Sequence, residues 1–209
     1  MSTENIVRKK QLFVEPPSSG GQFDPVDADR WYIAKITNIE ETGYKFIKKV
    51  EDATGNIVPQ ERFQKQFEWS FQIVADAIKL DPNGKPAYVK ESKVISRTFK
   101  GRTGRTLGNE RMRGDLCKWV EDLENVEDIA ELKWIGEPWK APQLDLNKYL
   151  PDPDVDRKPT ICAVFITNKE NKKNSDNPYQ KVTKVQSIAA YVNRLRTKQA
   201  EIDLPSDES

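Results

Sequence analysis

The clearest pattern in the chain is a strict alternation of large apolar and polar residues between positions 67 and 73. The apolar positions are Phe67, Trp69, Phe71 and Ile73, separated by Glu68, Ser70 and Gln72. Side chains of a β-strand point alternately to its two faces, so this period places the four apolar residues on one face. The segment is therefore predicted to be a half-buried strand whose aromatic residues belong to the core.

Runs of aromatic and β-branched residues predict further strands on both sides of that segment. These strands span 31–39, 44–50, 94–99, 160–167 and 179–185. The first two runs form either a hairpin or one long bent strand. A turn is predicted at 81–84, where the sequence reads Asp-Pro-Asn-Gly.

Two segments change to the helical period and predict helices. In the first, the apolar face consists of Met112, Leu116, Trp119, Val120 and Leu123. In the second, near the end of the chain, it consists of Ile188, Tyr191, Val192 and Leu195. The chain is accordingly predicted to be mainly β, with one helix between its third and fourth strands and another at its C-terminal end.

Charge is balanced over the whole chain but distributed unevenly along it. The 209 residues include 34 Lys and Arg against 33 Asp and Glu, a net charge of +1. Basic residues dominate a glycine-rich window at 97–113, which is predicted to form a loop that can follow a nucleic-acid backbone, and also dominate 157–198. Acidic residues dominate 121–156 and the tail at 201–209. A near-neutral total is therefore compatible with an anionic partner, since local basic blocks create a local field.

The composition also excludes several classes of chemistry. The chain has no histidine, which rules out Ser–His and Cys–His triads and the zinc finger. Cys117 and Cys162 lie in apolar surroundings without a CxxC spacing and are predicted to be buried free thiols in a reducing compartment. No signal peptide, membrane span or phosphate-binding loop is visible. The expected protein is cytoplasmic and needs no cofactor.

Composition shifts divide the chain into an arm, one domain and a tail. Residues 1–29 contain a Pro-Pro-Ser-Ser-Gly-Gly stretch and are predicted to be a flexible arm. Residues 30–192 form the predicted domain, in which 126–158 is an acidic, proline-broken surface insertion anchored by Trp134, Trp139 and Tyr149. Residues 193–209 are the end of the last helix and the acidic tail.

The order of three strands, a helix and two more strands resembles an OB-fold, in particular the single-stranded DNA-binding proteins of phages and bacteria. The resemblance covers residues 30–190 in layout and includes the fragments FEWSF at 67–71 and LCKWV at 116–120. It implies a five-stranded barrel that binds oligonucleotides. The acidic end resembles the tails with which such proteins recruit partners and compete with DNA, although it ends Ser-Asp-Glu-Ser without their apolar terminal residue.

Single-strand binding requires cations for phosphates and exposed aromatic rings on which bases stack. The expected function is non-catalytic binding of single-stranded DNA with little sequence preference, which protects the DNA in replication or recombination. The expected source is a phage, which places the protein in the host cytoplasm. The candidate nucleic-acid-binding residues are Tyr44, Phe46, Lys48, Arg97, Phe99, Lys100, Arg102, Arg105, Lys172, Lys173, Tyr179, Lys181 and Lys184.

Two other functions remain open at this level. An OB-fold protein could act as an adaptor that contacts only proteins, with the acidic insertion as its docking surface. A Mg²⁺-dependent nuclease could use Asp154 after Pro153, together with Glu170 and Lys172, because paired carboxylates hold Mg²⁺ and a lysine can assist the attacking water.

Overall fold

A computed structural model describes residues 26–91, 94–108, 112–132, 144–169 and 179–203, of which 201–203 are described by their backbone alone. The strands are β1 (Arg30–Glu51), β2 (Ile57–Ala75), β3 (Ala77–Leu80), β4 (Pro86–Val89), β5 (Thr98–Gly104), β6 (Ile161–Lys169) and β7 (Tyr179–Ser187). The α-helices are α1 (Asp115–Glu124) and α2 (Ile188–Asp203). The described chain is thus mainly β, as predicted, with α1 between β5 and β6. Most of the predicted arm at 1–29 and the tail end at 204–209 lie outside the described residues.

Five of the strands form one sheet whose pairing returns to its starting strand. The order is β1, β2, β5, β7 and β6, and β6 pairs again with β1. Neighbouring strands are antiparallel except β5 and β7, which are parallel and meet at Gly101 and Val182. β3 and β4 form a separate hairpin, whose turn contains the predicted Asp-Pro-Asn-Gly sequence.

The main core fills the inside of this sheet. Trp69 and Phe71 of β2 are fully buried, which confirms the prediction for these two residues, while Phe67 is partly buried against them. Trp119 of α1 packs edge-on against both, with ring centroids 5.6 and 5.7 Å away. Tyr149, a predicted anchor of the acidic insertion, is buried with its ring 6.0 Å from Trp69. Trp134 and Trp139 lie outside the described residues.

A second apolar cluster lies on the opposite side of β1 and β6. Ile33 of β1 and Ala163 of β6 pair across the strands, and Tyr191 and Val192 of α2 pack on them. Ile78 of the β3–β4 hairpin belongs to the same cluster. α2 therefore covers the outside of the sheet there. In the described part of the chain, no helix has the length and apolar character needed to cross a membrane.

The segments at 31–39 and 44–50 belong to one long strand, β1, which settles the choice between a hairpin and a bent strand. Its outer half pairs with the first half of β2, up to the pair of Glu51 with Ile57. Over 42–51 and 57–65, these two strands have no other paired neighbour among the described strands. We call this two-stranded extension the ribbon.

Two boundaries around the basic window differ from prediction. The strand predicted at 94–99 is a turn at 94–96, where Ser96 has φ of +72°, and β5 runs from Thr98 to Gly104. Residues 98–104 of the glycine-rich window predicted to be a loop therefore belong to a strand. The helix predicted from Met112 begins at Asp115, because Gly114 is still extended and precedes the first turn.

Candidate nucleic-acid interface

The ribbon presents two faces of different chemistry. Residues paired across antiparallel strands share a face, and Tyr44, Phe46 and Lys48 pair with Gln64, Arg62 and Gln60. Along both strands this face consists of the even-numbered positions, and none of those from 42 to 50 or from 58 to 66 is Asp or Glu. Glu51 and Glu61 are both on the opposite face. The even-numbered face of the ribbon therefore combines aromatic rings with cations and has no acid of its own.

The aromatic part of this face is Tyr44 and Phe46. Tyr44 is 45% exposed, and its ring lies 5.8 Å from that of Phe46, which is partly buried. The Tyr44 hydroxyl donates a hydrogen bond to Gln64 Oε1 over 3.1 Å, which fixes the ring over the ribbon. An exposed, oriented ring of this kind can accept a nucleobase on its face.

The cationic part of this face is Lys48 and Arg62. Lys48 is exposed, and Arg62 donates to Gln60 Oε1 from Nε over 3.1 Å and from Nη2 over 2.8 Å. Because the amide oxygen of Gln60 is neutral, the guanidinium charge of Arg62 is held in place without being cancelled. Arg62 is thus a candidate phosphate ligand that was not among the sequence predictions.

The same face of the sheet continues from the ribbon onto β2 and β5. Glu68 follows the even-numbered positions, and its partner on β5 is Arg102. Lys100 and Arg102 alternate with Phe99, Gly101 and Thr103, which are buried on the core side. We call this continuous surface the outer face; it contains the even-numbered ribbon positions, Glu68, Lys100 and Arg102.

Glu68 holds both predicted phosphate ligands of β5. Its carboxylate accepts from Lys100 Nζ and from Arg102, whose Nε and Nη2 lie 2.8 and 2.7 Å from Oε2. The hydrogen bond from Lys100 and those from Arg102 keep the pKa of Glu68 below its usual range, although burial opposes this. The carboxylate is therefore ionised at neutral pH and partly cancels both cations.

β7 extends the outer face beyond β5. Tyr179 and Lys181 alternate with the buried Val182, so they point away from the core. Tyr179 is 52% exposed. Because β5 and β7 are parallel and meet at Gly101 and Val182, Tyr179 lies beside the start of β5, whereas the ribbon leaves the sheet beside its end. The structure therefore brings Lys100 and Arg102 between the two aromatic sites.

Lys184 is also on β7 and is exposed, with its ammonium 5.6 Å from the ring centroid of Phe165. Phe165 is the β6 residue with which Lys184 pairs, so the ammonium is directed toward β6. Lys184 lies on β7 past Val182, the residue that meets β5.

Phe99 was predicted to stack on bases, and this prediction is wrong because the residue is buried. It alternates with the outer-face cations and is only 6% exposed, because its ring is part of the main core. The Arg97 guanidinium lies 5.4 Å from the centroid of that ring and is partly buried. Phe99 therefore offers no free face to a base, and its contribution is to position Arg97 at the start of β5.

Arg105 lies just past the end of β5 and is paired. Its Nε is 2.9 Å from Glu41 Oε2, and Lys65 Nζ is 2.7 Å from the other oxygen of Glu41. The hydrogen bond from Lys65, more than the charge of Arg105, keeps the pKa of Glu41 low. The remaining predicted ligands, Lys172 and Lys173, lie outside the described residues.

No protein family, curated protein or solved structure matches this chain. Among the described residues, no group of three Cys, Asp or Glu side chains is arranged to hold a metal ion. Of the residues named for a nuclease, Asp154 is exposed in the short 3-10 helix Pro153–Val155. Glu170 and Lys172 lie outside the described residues.

Proposed function

We propose that this protein is an OB-fold single-stranded DNA-binding protein with little sequence preference and no catalytic activity. It protects single strands during replication or recombination. The observation that carries the proposal is the outer face, on which exposed aromatic rings and cations occupy adjacent strands. This surface matches the combination that binding of a single strand requires.

The strand order supports the OB-fold part of the proposal. Counted along the chain within the closed sheet, β1, β2, β5, β6 and β7 are the first to fifth strands. Their spatial order is then first, second, third, fifth and fourth, with α1 between the third and fourth. OB-folds bind oligonucleotides on the face of their second and third strands and on the loops that flank it. Here those strands are β2 and β5, and the flanking connection of β1 and β2 is the ribbon.

The chemistry of the outer face supports binding without sequence preference. Tyr44 on the ribbon and Tyr179 on β7 offer ring faces, which any base can stack upon. Lys48, Arg62 and Lys181 offer donors to phosphates, which are the same in every sequence. Stacking needs an unpaired base, so a duplex gains only the phosphate contacts. This arrangement favours single strands over duplex.

A fluorescence-anisotropy titration with labelled oligo-dT at two salt concentrations tests the proposal. We expect binding at low salt that weakens as salt rises, with weaker binding of a duplex of equal length. The slope of log K against log salt should be about −0.7 for each phosphate neutralised. No binding at low salt would refute the proposal and would favour an adaptor that contacts only proteins. Cleavage of the oligonucleotide in Mg²⁺, but not in EDTA, would instead show a nuclease.

Tyr44→Ala gives the test a residue-level readout. Loss of one stacked base costs about 1 to 3 kcal/mol, which weakens oligo-dT binding by about 5-fold to 150-fold. Tyr88→Ala is the matched control, since Tyr88 is 51% exposed on β4, outside the closed sheet. We expect the control to bind like the wild type. Equal affinities of the two variants would remove the ribbon from the proposed site.

A further inference from the structure

Glu68 occupies an unusual position for a carboxylate on a surface proposed to bind DNA. Its side chain is 7% exposed, whereas Lys100 and Arg102, which it holds, are 58% and 63% exposed. The carboxylate therefore lies beneath the two cations, in the middle of the outer face. Nothing in the core requires an acid there, because Glu68 points to the side opposite its buried neighbour Trp69.

We propose that Glu68 is a specificity-determining residue, which limits the attraction of Lys100 and Arg102 for phosphates so that base stacking decides what the protein binds. This inference rests on the proposed function of the outer face. Arg102 directs two of its nitrogens to Glu68, and Lys100 directs its ammonium there. A phosphate that binds these cations must share them with a carboxylate that repels it.

The strand next to Glu68 carries a second acid that serves as a comparison. Glu40 of β1 pairs directly with Glu68 and so lies on the same face. Glu40 is exposed and has no ion-pair partner in the described part of the chain. Removing either carboxylate changes the net charge of the same surface by the same amount. Only removal of Glu68 frees the donors of Lys100 and Arg102.

The expected effect follows from counterion release. If Glu68→Gln lets the two cations neutralise one more phosphate, the salt slope steepens by about 0.7 on single strands and about 0.9 on duplex. At about 50 mM salt these increments correspond to roughly 8-fold tighter binding of oligo-dT and roughly 15-fold tighter binding of duplex. The preference for single strands therefore falls about twofold while both affinities rise.

The experiment compares wild type, Glu68→Gln and Glu40→Gln by anisotropy with oligo-dT and duplex over a salt series. The inference expects the larger gain in affinity and the steeper slope in Glu68→Gln. Equal gains in affinity in the two variants would show an effect of net charge alone and would overturn the inference. Weaker binding by a Glu68→Gln variant that melts at the wild-type temperature would overturn it as well. If the wild type binds no oligo-dT, the proposed function itself has failed.

A double variant tests whether the ion pair, and not the carboxylate alone, sets the salt slope. Glu68→Gln combined with Lys100→Met removes one carboxylate and one ammonium, so the local charge returns to that of the wild type. We expect its salt slope on oligo-dT to return to the wild-type value. A slope that stays as steep as in Glu68→Gln would contradict the role assigned to the pair.

Discussion

Gly101 allows β5 to pass directly over Trp119, and the substitution Gly101→Ala tests how tightly this junction is packed. A Cβ atom at position 101 would lie 2.5 Å from Cη2 of the Trp119 ring and 3.1 Å from the Val182 carbonyl oxygen. Neither neighbour can move freely. Trp119 packs edge-on against Trp69 and Phe71, and Val182 is the residue through which β7 pairs with β5.

The magnitude of the effect is a balance of two terms. Overpacking a core by one methyl group costs about 1 to 3 kcal/mol, whereas replacing a strand glycine by alanine returns about 0.5 to 1 kcal/mol of backbone entropy. Because the contact with the Trp119 ring is as short as 2.5 Å, the overpacking cost lies in the upper part of its range. The net loss is then about 1 to 2.5 kcal/mol, which lowers the melting temperature of a chain of this size by about 2 to 10 °C. Thermal unfolding followed by circular dichroism measures this loss.

Gly104→Ala provides the control within the same strand. The nearest atom to a Cβ there is the Thr106 carbonyl oxygen at 4.0 Å, so only the entropy term acts. We expect this variant to melt at or slightly above the wild-type temperature. A Gly101→Ala variant as stable as the wild type, or a Gly104→Ala variant destabilised to the same extent, would refute the packing of Trp119 beneath β5.

Two further predictions concern buried groups. Thr103→Val removes the oxygen that accepts a hydrogen bond from the Trp69 indole N–H over 3.1 Å, and leaving that donor unpaired costs about 1 to 3 kcal/mol. Thr103→Ser keeps the oxygen, so we expect it to retain most of the stability measured by urea unfolding. Equal losses of stability in the two variants would exclude this hydrogen bond as the cause. Burial, reinforced at Cys117 by the nearby Glu121, raises the pKa of Cys117 and of Cys162 to about 12. Both thiols should therefore react with a disulfide reagent at mildly alkaline pH only after unfolding, and fast labelling of the native protein would show that one of them is accessible.

The parts of the fold that could be predicted from the sequence are those in which one face of an element is buried. Burial of one face requires the alternation of apolar and polar residues from Phe67 to Ile73, and in α1 it requires apolar residues at the helical period. In the ribbon, both faces are mostly solvated, so no such constraint operates on 57–65. That segment also contains Pro59, which usually argues against a strand but is tolerated where no further strand pairs. The first half of β2, which includes Arg62, therefore lacks the alternation of apolar and polar residues that predicts a strand.

The charge of the outer face could not be predicted from windows along the chain, since a sheet brings together residues that are distant in sequence. Glu68 is 32 and 34 positions away from Lys100 and Arg102, yet it is their direct neighbour across the strands. Part of the positive charge of the basic window at 97–113 is thus offset by an acid, Glu68, which lies in the strand with the clearest alternation of apolar and polar residues. In the ribbon, four lysines and one arginine accompany two acids, and the pairing places both acids on one face and leaves the other face cationic. The charge that each face of the sheet presents is consequently set by strand register, and the two faces of one strand can differ in charge.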